Sequence, residues 1–124
     1  MPDTTVSTTP DVILESVKLM LGIQNEYTPF DQQILLHINS VFTILNQLGV
    51  GPKVPFVADS TSLWSDFLQG DSIDLDLVKS YMYLRVRMLF DPPTSSFTLD
   101  AMKEQSKEFE WRLNVYVDPF IGEN

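Results

Sequence analysis

The chain has 124 residues, 44% of them hydrophobic, and its 17 acidic residues oppose eight basic ones for a formal net charge of −9. This length suits one domain with a hydrophobic core, and the lack of cysteine excludes disulfides, thiolate metal sites and cysteine nucleophiles. The acidic balance argues against ordinary DNA binding, which requires Lys and Arg to neutralise phosphates.

Helical periodicity begins after a polar tail, residues 1–9. The first helix is predicted to start near Thr9-Pro10-Asp11, where a cap, a proline and an acid coincide, and to stop at Gly22. A second helix is predicted to be capped by Thr28, with Asp31 at the third helical position as in a capping box. Its apolar residues form one stripe, Phe30, Ile34, Ile38, Val41, Phe42, Leu45 and Leu48, before the stop at Gly49.

Residues 49–61 form the longest predicted loop inside the domain, because two glycines and two prolines exclude a regular helix there. The loop nevertheless contains several apolar side chains. A loop of this length and content is usually packed or functional. A short helix is predicted over residues 62–68, and Gly70 ends it.

A third long helix, roughly residues 72–90, is apolar on nearly every side in its second half, which indicates a central position or a subunit contact. Asp91-Pro92-Pro93 stops it. Thr98 is predicted to cap the last helix, whose packing seam comprises Leu99, Met102, Ser106, Phe109 and Leu113.

These elements predict an all-α fold: a compact bundle of four to five helices with a long inter-helix loop and an extended C-terminal tail. The predicted organisation is a flexible tail over residues 1–9, a helical domain over 10–115 and a C-terminal tail over 116–124. That last segment is apolar at a chain end, where polar residues are usual.

Catalytic and metal-binding patterns are missing. His37, the one histidine, interrupts an apolar helix and is best interpreted as a partly exposed helix residue. The acidic run of residues 71–76 lacks the glycine and the final glutamate of a calcium loop. No apolar run approaches the roughly 18 residues of a membrane span, and the polar start does not fit a signal peptide. We therefore expect a soluble protein made in the cytoplasm, with no enzymatic activity and no cofactor.

Arg85 and Arg87 interrupt the apolar run of the third long helix, and an arginine in such a setting is rarely buried without a partner. Two interpretations remain open. Each forms an ion pair inside the fold, for example with an acid of the last helix, or each pairs across a subunit boundary.

Three segments carry a resemblance to a known family. Residues 13–23 followed by Phe30-Asp31, residues 81–97 and residues 108–113 are similar to segments of the head–tail connector (adaptor) proteins of tailed phages. The resemblance covers roughly residues 10–117. It implies a non-enzymatic subunit of a dodecameric ring in the virion neck. Such a ring lies beneath the portal protein and joins it to a tail-side stopper or head-completion protein, and DNA passes through its lumen without specific binding.

The resemblance also implies docking surfaces on residues 49–61 and 111–122. Residues expected to dock on the portal are Trp111, Arg112, Tyr116, Val117, Pro119, Phe120 and Ile121. Residues expected to contact another subunit or a neck protein are Val54, Phe56, Val57, Tyr83, Arg85 and Arg87. The alternative for the C-terminal tail is that it folds back onto its own bundle.

A net acidic lumen is a further expectation, because a surface that lets DNA slide past should not bind it. The acids expected to contribute are Asp66, Asp71, Asp74, Asp76, Glu104 and Glu108. Two hypotheses from other classes compete with a connector: a small helical regulator that binds one partner protein, and a small hydrolase or binding domain with a cryptic pocket. Copy number in purified virions would distinguish them.

Overall fold

The structure, a computed structural model, describes residues 11–68 and 75–117. These residues form five helices and no strand, apart from a single bridge between Val12 and Leu63. The helices are α1 (Ile13–Leu21), α2 (Asp31–Gln47), α3 (Trp64–Phe67), α4 (Leu75–Phe90) and α5 (Ser96–Val117). The predicted all-α helical bundle is thereby confirmed.

Helix α1 begins later than predicted, at Ile13. Its start is fixed by backbone hydrogen bonds to the segment before α3: the Ile13 N–H donates to the Ser62 carbonyl at 2.9 Å. The Trp64 N–H donates to the Asp11 carbonyl at 3.0 Å. No side chain caps the helix, so a long-range pairing replaces the predicted local cap. The stop at Gly22 is confirmed, with the left-handed φ of 81° that favours glycine.

The prediction that Thr28 caps α2 is wrong. The helix begins at Asp31, after a turn in which the Asp31 N–H donates to the Thr28 carbonyl at 3.0 Å. The Asp31 carboxylate pairs with Lys18 of α1, 2.8 Å away, and not with a backbone N–H of a capping box. The predicted stripe is confirmed in its centre, where Ile34, Ile38, Val41, Phe42 and Leu45 are buried.

Helix α4 occupies the centre of the bundle, one of the two alternatives predicted from its apolar surface. It packs against α1, α2 and α5. Its buried residues are Val78, Tyr81, Met82, Leu84 and Val86. At its end, the ring of Phe90 contacts Phe30 at the start of α2, with ring centroids 5.3 Å apart. The two helices therefore run antiparallel.

Helix α5 begins at Ser96, so the prediction that Thr98 caps it is wrong. The Thr98 N–H donates to the Ser95 hydroxyl at 3.3 Å, because Ser95 is the residue that precedes the helix. Along the predicted seam, Ser106 and Leu113 are buried and the other three residues are half-buried. The helix continues through Val117, two residues into the predicted C-terminal tail.

The predicted long loop is packed against the bundle at several points. Phe56 contacts Phe42 and Phe67, with ring centroids 5.0 and 5.4 Å apart. The amide of Asn39 forms two hydrogen bonds with the backbone of Ala58, donating to its carbonyl at 3.1 Å and accepting from its N–H at 2.7 Å. The loop is consequently an ordered part of the fold with apolar side chains on both of its sides.

Candidate interaction surfaces

Arg85 finds its nearest partner inside the fold. Its Nη1 lies 3.8 Å from Glu110 Oε2 of α5, and both side chains are about a third exposed, at 31% and 32%. The hydroxyl of Tyr81 donates to the same carboxylate oxygen at 2.7 Å. Burial raises the pKa of Tyr81, and the neighbouring Glu110 carboxylate raises it further. The intramolecular interpretation thus has a partner of the predicted kind, while a contact across subunits stays a prediction.

Arg87 lies at the C-terminal end of α4, where a cation is favoured by the helix dipole. Its Nε donates to the Asp91 carbonyl at 2.6 Å and lies 3.9 Å from that residue's carboxylate. Its Nη1 donates to the Tyr83 hydroxyl at 3.3 Å. These bonds fix the end of α4, and they leave both Arg87 and Tyr83 partly exposed.

The apolar residues of the long loop divide into two groups. Phe56 points into the aromatic cluster described above and is half-buried. Val54 and Val57 are 76% and 73% exposed. We call the segment Gly51–Val57 the valine loop. The exposed residues of this loop are Pro52, Lys53, Val54, Pro55 and Val57.

The C-terminal end of α5 presents aromatic surface. Trp111 is 58% exposed and Tyr116 47%. Arg112 is held by Glu108, 2.7 Å away, the pair expected from their spacing of four residues. Val117 lies against the end of α2, since a Cβ atom added at Gly49 would come within 3.0 Å of its side chain. The predicted docking residues Pro119, Phe120 and Ile121 lie outside the described residues.

The described acids of the predicted lumen set do not lie on one element. Asp66 belongs to α3, where it accepts the Leu63 N–H at 2.9 Å; Asp76 belongs to the first turn of α4. Glu104 and Glu108 share a face of α5, and Lys107 and Arg112 pair with them at 3.9 and 2.7 Å. This face is therefore closer to neutral than the sequence alone suggests. Asp71 and Asp74 lie outside the described residues.

A groove between α4 and α5 was not foreseen from the sequence. It has a volume of about 820 Å³. Its apolar lining comes from Met88, Leu89, Pro92 and Leu99, and charged residues including Asp100 and Lys103 surround it. We call it the α4–α5 groove. The sequence contained a partial signal for this groove, because Leu99 belongs to the predicted apolar seam of α5. In the structure Leu99 is only half-buried.

Lys18 is the second feature that sequence reasoning missed. Its side chain is 1% exposed, and its ammonium donates to the carbonyls of Asn25 and Tyr27 at 2.9 and 2.7 Å and pairs with Asp31. The sequence contained a signal for this burial, because Lys18 directly follows Val17, and both residues are buried in α1. The ammonium thus makes two hydrogen bonds to carbonyls and one ion pair. The residue is a structural link between α1, the turn and α2.

Side-chain clusters that could bind a metal ion or catalyse a reaction are sparse in the part of the chain that the structure describes. No group of three His, Asp or Glu residues there is arranged to hold a metal ion. His37 is half-buried, and its ring lies against Phe90 with centroids 6.4 Å apart. Of the described helices, none is long and apolar enough to cross a membrane.

A family model described as phage connector protein matches residues 13–119, which include all five helices and the long loop. No curated protein and no solved structure is significantly similar to the chain.

Proposed function

Because this chain belongs to the phage connector protein family, we propose that it is a head–tail connector subunit that assembles into a ring under the portal. The observation that carries the proposal is the match over residues 13–119, since it covers the whole helical bundle and not a short motif. The family is structural and not enzymatic. Contact surfaces, not a catalytic pocket, are accordingly the functional parts of this fold.

Ring formation requires surface that a monomer does not need. Val54, Val57 and Leu89 are at least half exposed, and Phe97 is 83% exposed. Covering exposed apolar side chains favours the association of subunits. These residues are distributed over the loop, the end of α4 and the start of α5, which supports contacts on more than one side of the subunit. We propose a ring of about twelve copies, as the resemblance implies.

The portal is the proposed partner of the C-terminal end of the chain. Trp111 and Tyr116 are exposed there, and aromatic and arginine side chains are frequent hot spots of protein interfaces. Arg112 adjoins them, already oriented by Glu108. The tail-side stopper or head-completion protein is the second proposed neck partner, through parts of the valine loop.

DNA is proposed to pass through the lumen without being bound. The support is the net charge of −9, which repels phosphates over the roughly 8 Å that screening permits at physiological salt. Asp66, Asp76, Glu104 and Glu108 are the described acids proposed to contribute to a lumen surface. The proposed location is the virion neck, after synthesis in the bacterial host.

Electron microscopy of the purified protein tests the proposal directly. We expect rings with a central channel, either of the free protein or of protein added to portal-bearing heads. Quantification of the chain in purified virions should give a ring-like copy number relative to the portal. Absence from virions would contradict the proposal and favour a regulator; a monomer that never associates with heads would contradict it as well.

A further inference from the structure

Helix α5 ends beside the residue at which the long loop begins. Val117 is the last residue of the helix, and a Cβ atom added at Gly49 would lie 3.0 Å from its side chain. Both residues are exposed. Residues 118–124 therefore leave the bundle at the root of the long loop and not at a distant end of the molecule.

The valine loop returns to this same end of α2. The Gly49 N–H donates to the Asn46 carbonyl at 3.0 Å. The side-chain amide of Asn46 donates to the carbonyls of Pro52 and Lys53, at 3.4 Å each. Val54 follows directly and is 76% exposed. The exposed apolar surface of the loop is thus linked by short contacts to the point where α5 ends.

The segment beyond α5 carries two large apolar side chains, Phe120 and Ile121. An extended chain spans at most about 3.6 Å per residue, so Ile121 reaches up to roughly 14 Å from Val117. Pro119 disfavours continuation of the helix, which directs the chain away from the axis of α5. The two side chains are consequently tethered beside Val54 at high effective concentration.

Charge favours the same contact. Lys53 is the only charged residue of the valine loop, and it forms no ion pair with a described residue. The next acid along the chain, Asp59, is engaged in hydrogen bonds within its own turn. Residues 118–124 contain two acids, Asp118 and Glu123, and no base. A lysine beside an exposed valine thus complements an acidic segment with apolar side chains.

We propose that residues 118–124 cover the valine loop of their own chain in the free subunit, with Phe120 and Ile121 against Val54. These two apolar side chains are also the ones proposed to dock on the portal, so the two contacts exclude each other. Docking on the portal then uncovers the valine loop for its neck partner. The inference rests on the proposed function and adds an order of assembly to it. The contact is reversible, and a chain without it still folds.

A disulfide tests the contact, because the chain has no cysteine of its own. Under mild oxidation, the free double variant Lys53→Cys/Glu123→Cys should form a disulfide within one monomer, measured by non-reducing electrophoresis and mass spectrometry. Addition of Phe120→Ser is the matched control. It should slow the disulfide at least roughly twofold, since a tethered contact that is occupied half of the time doubles the encounter of the two thiols.

Three results of this measurement would overturn the inference and leave the connector function intact. They are no disulfide, a disulfide that joins two chains, and an equal rate with Phe120→Ser, which would show that the tether alone brings the thiols together.

Portal-bearing heads test the order of assembly. The disulfide-locked monomer should fail to join heads, and reduction of the same sample should raise joining. A locked monomer that joins as well as the reduced one would overturn the inference. A wild-type chain that never joins heads would overturn the proposed function together with the order of assembly, even where the disulfide forms.

Discussion

The ammonium of Lys18 lies 2.8 Å from the carboxylate of Asp31 in a position where the lysine is 1% exposed. Two backbone carbonyls of the turn between α1 and α2 complete its coordination. A buried charge of this kind is tolerated only while it is paired, because desolvation of an ammonium costs several kcal/mol.

Replacement of Lys18 should therefore destabilise the subunit strongly. Lys18→Ala leaves Asp31 and two carbonyls without their partner, and removal of one member of a buried pair typically costs about 3–5 kcal/mol. Thermal unfolding followed by circular dichroism measures the effect. Lys103→Ala is the control, since Lys103 is exposed and forms no ion pair with a described residue; it should melt like the wild type. Equal melting temperatures of the two variants would contradict the structural role of Lys18.

Alanine variants of Gly51 and Gly22 form a matched pair that tests the packing of the valine loop. Both have a left-handed φ, of 93° and 81°. A Cβ atom at Gly51 would overlap the ring of Phe67, whereas one at Gly22 meets nothing within 4 Å. Gly22→Ala should cost about 1–2 kcal/mol for the backbone alone, and Gly51→Ala should cost about 1–3 kcal/mol more for overpacking. Chemical denaturation of both variants checks the order, and a smaller loss for Gly51→Ala would contradict the packed loop.

Arg85 distinguishes folding from assembly. The pair with Glu110 is about a third exposed on both sides and 3.8 Å long, so Arg85→Ala should cost at most about 1 kcal/mol of stability. If Arg85 also contacts a neighbouring subunit, ring formation on portal-bearing heads should fall much more than the melting temperature. If ring formation and the melting temperature both fall only slightly, Arg85 stabilises the fold of its own subunit and does not contribute to a subunit contact. The control is Lys107→Ala, because Lys107 is 75% exposed and its ion-pair partner Glu104 lies on the same helix, α5.

Alkaline pH should destabilise the contact between α4 and α5. Burial and Glu110 raise the pKa of Tyr81 above its ordinary value of 10.0, so the folded state holds this proton more tightly than the unfolded chain does. The stabilisation is complete below pH 10 and is lost as the pH rises above that value towards the folded-state pKa. Melting curves against pH check the effect. Tyr81→Phe should show a smaller decline above pH 10 than the wild type, and identical declines would contradict it.

Removal of residues 118–124 tests the C-terminal docking. The cut leaves Val117, which packs near Gly49, so the truncated protein should fold and melt near the wild type. It should fail to join portal-bearing heads, because Phe120 and Ile121 are removed. One such tail binds weakly, since it offers only a few apolar side chains for burial. A ring of tails gains avidity. If the truncated protein joins portal-bearing heads normally, the docking role is contradicted. If it fails to fold, the tail packs on its own bundle.

The sequence by itself determined the helical elements and their inner faces. Glycine and proline stops at Gly22 and Pro92 follow from backbone geometry alone, and the stripe of α2 follows from a period that any buried helix face must show. The apolar surface of α4 likewise predicted its central position. The resemblance that names the family was also legible in contiguous segments, because it depends on the order of residues and not on their contacts.

Tertiary structure decided which partners those faces meet. Asp31 was expected to bind the backbone of its own helix and instead pairs with Lys18, since the folded chain brings the buried ammonium within 2.8 Å of its carboxylate. Phe56 and Val57 are adjacent in sequence, yet one joins the aromatic cluster and the other stays exposed. The α4–α5 groove likewise belongs to no single segment. Hydrophobic periodicity predicts which positions are buried. Which residue pairs with which, and where a groove forms, depends on how segments distant in sequence pack against one another.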